Sequence, residues 1–79
     1  MGVETSLDLA NEKSPLKVIR LNGTGAGMAR MMQMGILPGT PLEILRKAPM
    51  DDPIEIKVRG SRIMLRLDEC RNIMVAGTE

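Results

Sequence analysis

Phenylalanine, tyrosine, tryptophan and histidine are all missing from the 79 residues, and cysteine occurs once. Without aromatic rings there is no platform on which unpaired bases could stack. Without histidine, acid–base chemistry near neutral pH lacks its usual carrier. The lone Cys70 excludes an intramolecular disulfide and a Cys-x-x-Cys zinc framework. No apolar run approaches the ~18 residues that span a membrane as a helix. The opening Met1-Gly2-Val3-Glu4-Thr5-Ser6 is acidic and polar where a secretory signal would be basic and then apolar. Charge of one sign is also lacking: 11 Lys and Arg face 10 Asp and Glu, a net of +1. That balance leaves no footprint for nucleic acid or anionic lipid. The expectations are a cytoplasmic protein with no nucleic-acid partner, no membrane insertion and no catalytic residues of its own. Met1-Gly2 with Ser6 has the form of a myristoylation signal, but a start codon followed by glycine is the plainer reading.

What is present suits one small globular domain. Hydrophobic residues make up 43% and charged residues 27%, too apolar for a disordered chain. Seventy-nine residues are too few for a doubly wound enzyme or a two-domain protein. Residues 1–14 read as a loose polar leader closed by Ser14-Pro15, residues 15–76 as the domain, and 77–79 as a tail.

The clearest signal is a set of short strands. Leu16–Leu21 is β-prone and stops at Asn22-Gly23. Gly23-Thr24-Gly25-Ala26-Gly27 resembles a phosphate loop only superficially. Met28 stands where a dinucleotide fingerprint needs its third glycine, and no Gly-Lys-Ser/Thr follows, so a flexible strand-to-helix connection is expected. Met28–Met34 predicts a short helix of good helix formers, and Gly35 suits the left-handed position just past its end. Leu37-Pro38-Gly39-Thr40 carries type II turn chemistry. Leu42–Lys47 then predicts a strand. Ile54–Arg59 alternates strictly, with Ile54, Ile56 and Val58 on one face. Gly60-Ser61 reads as a two-residue hairpin loop, and Ile63, Leu65 and Leu67 return inward. A longer tip, Ala48–Pro53, joins the earlier pair. Asp68–Arg71 reads as one helical turn capped by Asp68, and Asn72–Val75 as the closing strand. The fold expected is mainly β: a small five-stranded, closed antiparallel barrel of SH3-like form, with one short helix after the first strand and a helical turn before the last. A barrel without aromatic residues cannot hold Pro-rich peptides in the usual aromatic-lined groove.

Four stretches together resemble the FeoA family of ferrous iron transport proteins: Arg30–Gly39, Ala48–Ile54, Val58-Arg59-Gly60 and Ile63–Arg66. The resemblance covers residues 16–75, with Gly35, Pro38, Gly39 and Gly60 as its structural motif. It implies an SH3-like barrel with no enzymatic activity that supports iron uptake through FeoB, a membrane transporter with a cytosolic GTPase domain. The sequence departs from the family at three positions. Met31 stands where Leu is usual, Asp51 where Gly is frequent, and Cys70 where a small residue is common. A related domain ends iron-responsive repressors of the DtxR type, which gives an alternative reading as a regulatory module. No winged-helix segment or basic helix accompanies it here.

Metal binding is the obvious guess for such a protein, and the residues argue against a tight iron site or any other cofactor. Ferrous iron favours imidazole and carboxylate ligands. Here imidazole is absent and the carboxylates are scattered, with Asp51-Asp52 best read as a solvated tip. Eight methionines remain. Met28, Met31 and Met34 fall at helical spacing and suit core packing. Met64 and Met74 alternate with inward neighbours and so point outward. Met32 flanks the helix's polar side, and Met50 sits at a hairpin tip. Flexible thioethers suit adaptable partner surfaces. Met32, Met50, Met64 and Met74 are therefore the candidate docking residues, for the transporter or for weak self-association.

Overall fold

Alternation in the sequence becomes the inner face of one sheet in the computed structural model, which describes residues 4–23 and 25–78. The strands are β1 (Thr5–Ser6), β2 (Leu16–Leu21), β3 (Pro41–Lys47), β4 (Ile54–Val58), β5 (Ser61–Leu65) and β6 (Ile73–Gly77). All pairings are antiparallel, and the spatial order is β1-β6-β2-β3-β4-β5. Register puts Ile44 opposite Ile56 and Ile56 opposite Ile63, and sets Leu42 against Val58 and Ile54 against Leu65. These side chains share one face and meet Leu7, Val18, Ile36, Ile73 and Val75 in a single core. Each fully buried aliphatic contributes about 1.5–3 kcal/mol. β2 and β3 each break register once, at Ile19 and at Leu45. Such bulges bend a strand and increase its twist, which curls this sheet around its own core.

The strand count differs from the sequence expectation by one, and the reason lies in the residues read as a loose leader. Over residues 4–14 that reading is corrected. Thr5 and Ser6 pair with Val75 and Met74, and a 3-10 turn at Leu7–Leu9 buries Leu7 completely. Lys13 then donates its N–H to the Ile44 carbonyl (2.8 Å). Met1, Gly2 and Val3, including the myristoylation-like start, lie outside the described residues. The opposite end changes too. Ala76 and Gly77 belong to β6, opposite Lys17 and Leu16, and Thr78 N–H bonds to the Pro15 carbonyl (3.1 Å). Glu79 lies outside the described residues. Among those described, no ladder joins β5 to β1, so the chain of pairings has two ends where a closed circuit was expected.

Local chemistry explains the remaining boundaries. Helix α1 spans Gly25–Gln33 and so begins within the glycine-rich run, earlier than expected; Thr24 of that run lies outside the described residues. Its end is a full Schellman arrangement. Gly35 N–H bonds to the Met32 carbonyl (3.0 Å) and Ile36 N–H to the Met31 carbonyl (3.0 Å). Gly35 has φ +88°, and Ile36 and Met31 are both buried. The turn Leu37–Thr40 closes through Thr40 N–H to Leu37 (2.9 Å), with Gly39 at φ +90°. It is stitched to β2 by Gly39 N–H to Val18 (2.7 Å) and Val18 N–H to Thr40 (2.9 Å). Helix α2 spans Leu67–Cys70 and starts one residue before the expected cap, with Arg66 at the N-cap position in place of Asp68. The β4–β5 loop is Arg59-Gly60, since Val58 pairs with Ser61. Both loop residues have positive φ, 53° and 80°, as a type I′ turn requires. The primed turn is as expected, one residue earlier than Gly60-Ser61.

Candidate docking surface

The four methionines sit on four different elements. Met32 lies on the exposed side of α1 and is 48% exposed. Met50, at the tip between β3 and β4, is 91% exposed, and Met64 on β5 is 54% exposed. Met74 on β6 is half-buried, because β1 lies alongside it and Ser6 pairs opposite. Helical spacing sorts two of the helix methionines as expected: Met31 is buried and Met34 is half-buried against the core, whereas Met28, also half-buried, lines a cleft and is not packed on the core cluster.

Met64 helps line a cleft of about 360 Å³ with Arg30 of α1, Asp52 and Pro53 of the hairpin tip, Leu65, Arg66 at the start of α2 and Glu69 within it. The hairpin carrying Met50 thus forms one wall of the cleft that Met64 lines. Met32 is on the helix that forms another. Met74 lies elsewhere, between β1 and β2 in the sheet order. A second cleft of about 340 Å³ opens on the other side of Glu69, lined by Leu21, Asn22, Gly23, Gly27, Met28, Met31 and Asn72. Glu69, which pairs with Arg30, lines both clefts.

Asp52 ties this region together in a way its sequence position did not announce. Its Oδ1 accepts from Leu67 N–H (3.1 Å), while Glu69 Oε1 accepts from Arg66 N–H (2.9 Å). Two carboxylates therefore satisfy the start of α2, and one of them comes from the hairpin tip. Within that tip, Asp51 N–H bonds to Ala48 (2.8 Å) and Ala48 N–H to Pro53 (3.0 Å). Met50 (φ +67°, ψ +17°) and Asp51 (φ +61°) are both left-handed. The substitution of Asp51 for a turn glycine hinted at its own backbone; nothing in the sequence marked Met50. The exposed Leu9 on the N-terminal turn, 72% exposed, also went unmarked.

The same N-terminal segment packs on α2. Lys47 Nζ donates to the Asp8 carbonyl (2.9 Å), and Lys47 N–H donates to Glu12 Oε2 (2.7 Å). One carboxylate oxygen of Asp8 is buried without a hydrogen-bond partner. Cys70 is fully buried here. Desolvation above all, then the carboxylates of Asp8 and Asp52, push its thiol from 9.0 up to about 12; Lys47 opposes them and Asp68 adds to the rise. Such a thiol stays protonated and unreactive at neutral pH. Among the described residues, no three His, Cys, Asp or Glu side chains are gathered to hold a metal ion. No helix among them is long and apolar enough to cross a membrane.

The family model of the FeoA domain matches residues 5–77. An FeoA-like protein from Clostridium acetobutylicum is 37% identical with a TM-score of 0.84, over 95% of this chain and 87% of that one. Iron(II) transport protein A from Clostridium thermocellum is 31% identical with a TM-score of 0.89, over 94% of this chain. This chain spans about half of that protein, 46% of its length. Two more distant structures show likeness of fold alone. One is Stenotrophomonas maltophilia FeoA in complex with zinc, described as an SH3 domain protein, at 20% identity and TM-score 0.79, over 90% of this chain and 88% of that one. The other is a manganese-dependent transcriptional repressor, at 16% identity and TM-score 0.86, over 95% of this chain and 37% of that one.

Proposed function

The chain belongs to the FeoA family, and from that premise we propose that it is a small accessory protein of ferrous iron uptake. It docks on the cytosolic face of an FeoB-type transporter and modulates that protein by contact, performing no chemistry of its own. Iron is the cargo of the system and is not held here. The Clostridium thermocellum relative, an iron(II) transport protein, supports the assignment to iron transport. The observation that carries the docking reading is the exposure of Met32, Met50 and Met64 on a barrel whose core is already filled by aliphatic side chains. Flexible, polarizable thioethers shape themselves to a partner without a fixed complementary mould. Met74 is the fourth candidate, half-buried on β6 and apart from the cleft that Met64 lines. A cytoplasmic location follows from this role.

Amide NMR spectra test the reading. Ferrous iron is added first, then the cytosolic domain of the matching transporter. Shifts around Met32, Met50, Met64 and Met74 with that domain, and none with iron, are the expected result. Saturable shifts with iron alone, centred on Asp51, Asp52 or Cys70, would make the protein an iron carrier and sink the docking role.

The likeness to a transcriptional repressor favours one other reading, a regulatory module of the DtxR kind. Retention on DNA at low salt distinguishes it, because only that class predicts binding.

A further inference from the structure

We propose that Met50 is a docking knob held out on a rigid turn, seated in an apolar pocket bordered by cationic side chains on the partner protein. This deepens the docking reading above and rests on it.

Three observations converge on the tip. The first is conformational. Met50 and Asp51 are consecutive left-handed residues, a backbone that L side chains adopt reluctantly and glycine adopts freely. The chain places glycine at φ +88°, +90° and +80° in its other turns, at Gly35, Gly39 and Gly60. Lys13 and Arg59 also have positive φ, but both end in solvated charges. Met50 is the one apolar residue so held among those described. Strain retained where glycine would relieve it points to a role for the side chain itself.

The second observation is exposure. At 91%, Met50 is the most exposed large hydrophobic residue described, and it packs on nothing in its own fold. The third is rigidity. The tip is closed by the Asp51-to-Ala48 and Ala48-to-Pro53 hydrogen bonds, flanked by Pro49 and Pro53, and fastened to α2 through Asp52. The backbone that presents Met50 is already fixed and loses little freedom on binding, so ordering falls on the thioether side chain alone, which favours affinity.

Charge selects the partner's chemistry. Asp51 is exposed and forms no ion pair among the described residues, and Asp52 follows it directly. Two carboxylates beside the knob repel an identical tip and suit a pocket edged by lysine or arginine. The occupant is therefore a partner protein; a second copy of this chain is the competing outcome.

Calorimetric titration of the transporter's cytosolic domain with the full chain and three variants decides the matter. Met50→Gln keeps the backbone strain and makes the knob polar. It is expected to weaken binding roughly tenfold, as loss of a hot spot does, with melting temperature unchanged. Met50→Gly is expected to weaken binding equally while raising the melting temperature by about 4 °C, since the strain is relieved. Asp51→Asn should weaken binding several-fold and flatten its salt dependence. Unaltered affinity in both Met50 variants overturns the knob. An unchanged salt slope in Asp51→Asn overturns the cationic rim. Self-association of the chain that Met50→Gly abolishes would make a second copy the occupant and overturn the stated partner. Absence of binding by the unaltered chain would instead overturn the docking role itself, together with this inference.

Discussion

Gly35 and Cys70 show how much one side chain, or its absence, determines. A Cβ on Gly35 would lie 3.1 Å from Arg59 Cδ while the backbone is held at φ +88°. The arginine is flexible and can yield; the dihedral cannot, because it closes α1. Gly35→Ala should therefore cost about 1–2 kcal/mol, read as a fall in melting temperature of about 4–8 °C per kcal/mol. Asn, which tolerates this conformation better, should cost less. Cys70 makes a pH-dependent prediction. Its thiol ionises near 9 in the unfolded chain and near 12 in the folded one. The unfolded state thus releases the proton first. Stability is at full strength below pH 9 and falls as pH rises toward 12, by about 1.4 kcal/mol per pH unit from this group. Chemical denaturation across that range, compared with Cys70→Ala, should show the slope only in the unaltered protein. An identical slope in both would place the titration on other groups.

At the scale of the element, the sequence was readable where a pattern repeats and opaque where it does not. Strict alternation over Ile54–Val58 located β4 and its inward face, and Gly35 and Gly39 marked their turns because the backbone there requires them. The N-terminal strand was invisible. Two polar residues followed by one buried leucine carry no period, and their hydrogen bonds go to Val75 and Met74, about seventy residues away in the chain. The cap of α2 was misread for the same reason, since half of it arrives from Asp52 in another hairpin. The methionines were placed by parity and spacing, but the left-handed backbone under Met50 leaves no mark on composition. Leu7, fully buried where the first turn meets β6 and α2, is the anchor of the N-terminal segment. Leu7→Ala should cost about 2–5 kcal/mol. Faster hydrogen exchange at Met74 and Val75 should accompany it; unchanged exchange there would mean that the segment adds burial without holding β6.

For the whole molecule, the core is a single cluster running from Leu7 to Val75, fed by both helices, the N-terminal turn and strands β2 to β6; β1 and the hairpin tip add no side chain to it. A domain of this size buries only about 60% of its unfolded surface, so it has no independent half to fall back on. Calorimetry should find one cooperative transition with an unfolding enthalpy of roughly 55 kcal/mol near 60 °C, from about 0.7 kcal/mol per residue. A separate, earlier transition for residues 4–14 would show the first strand to be an appendage.

The bulges at Ile19 and Leu45 bear on what the chain can lose. Each adds one residue to its strand where the facing strand has none, and together they supply the bend that turns an open ladder into a container. Removing Ile19 and Leu45 would leave every other side chain present and could even lengthen the regular pairing. The product would be a flatter ribbon, its aliphatic face open to water and to its neighbours in solution. Such a shortened chain should precipitate where the natural one stays dispersed, so that curvature here acts as a safeguard against clumping.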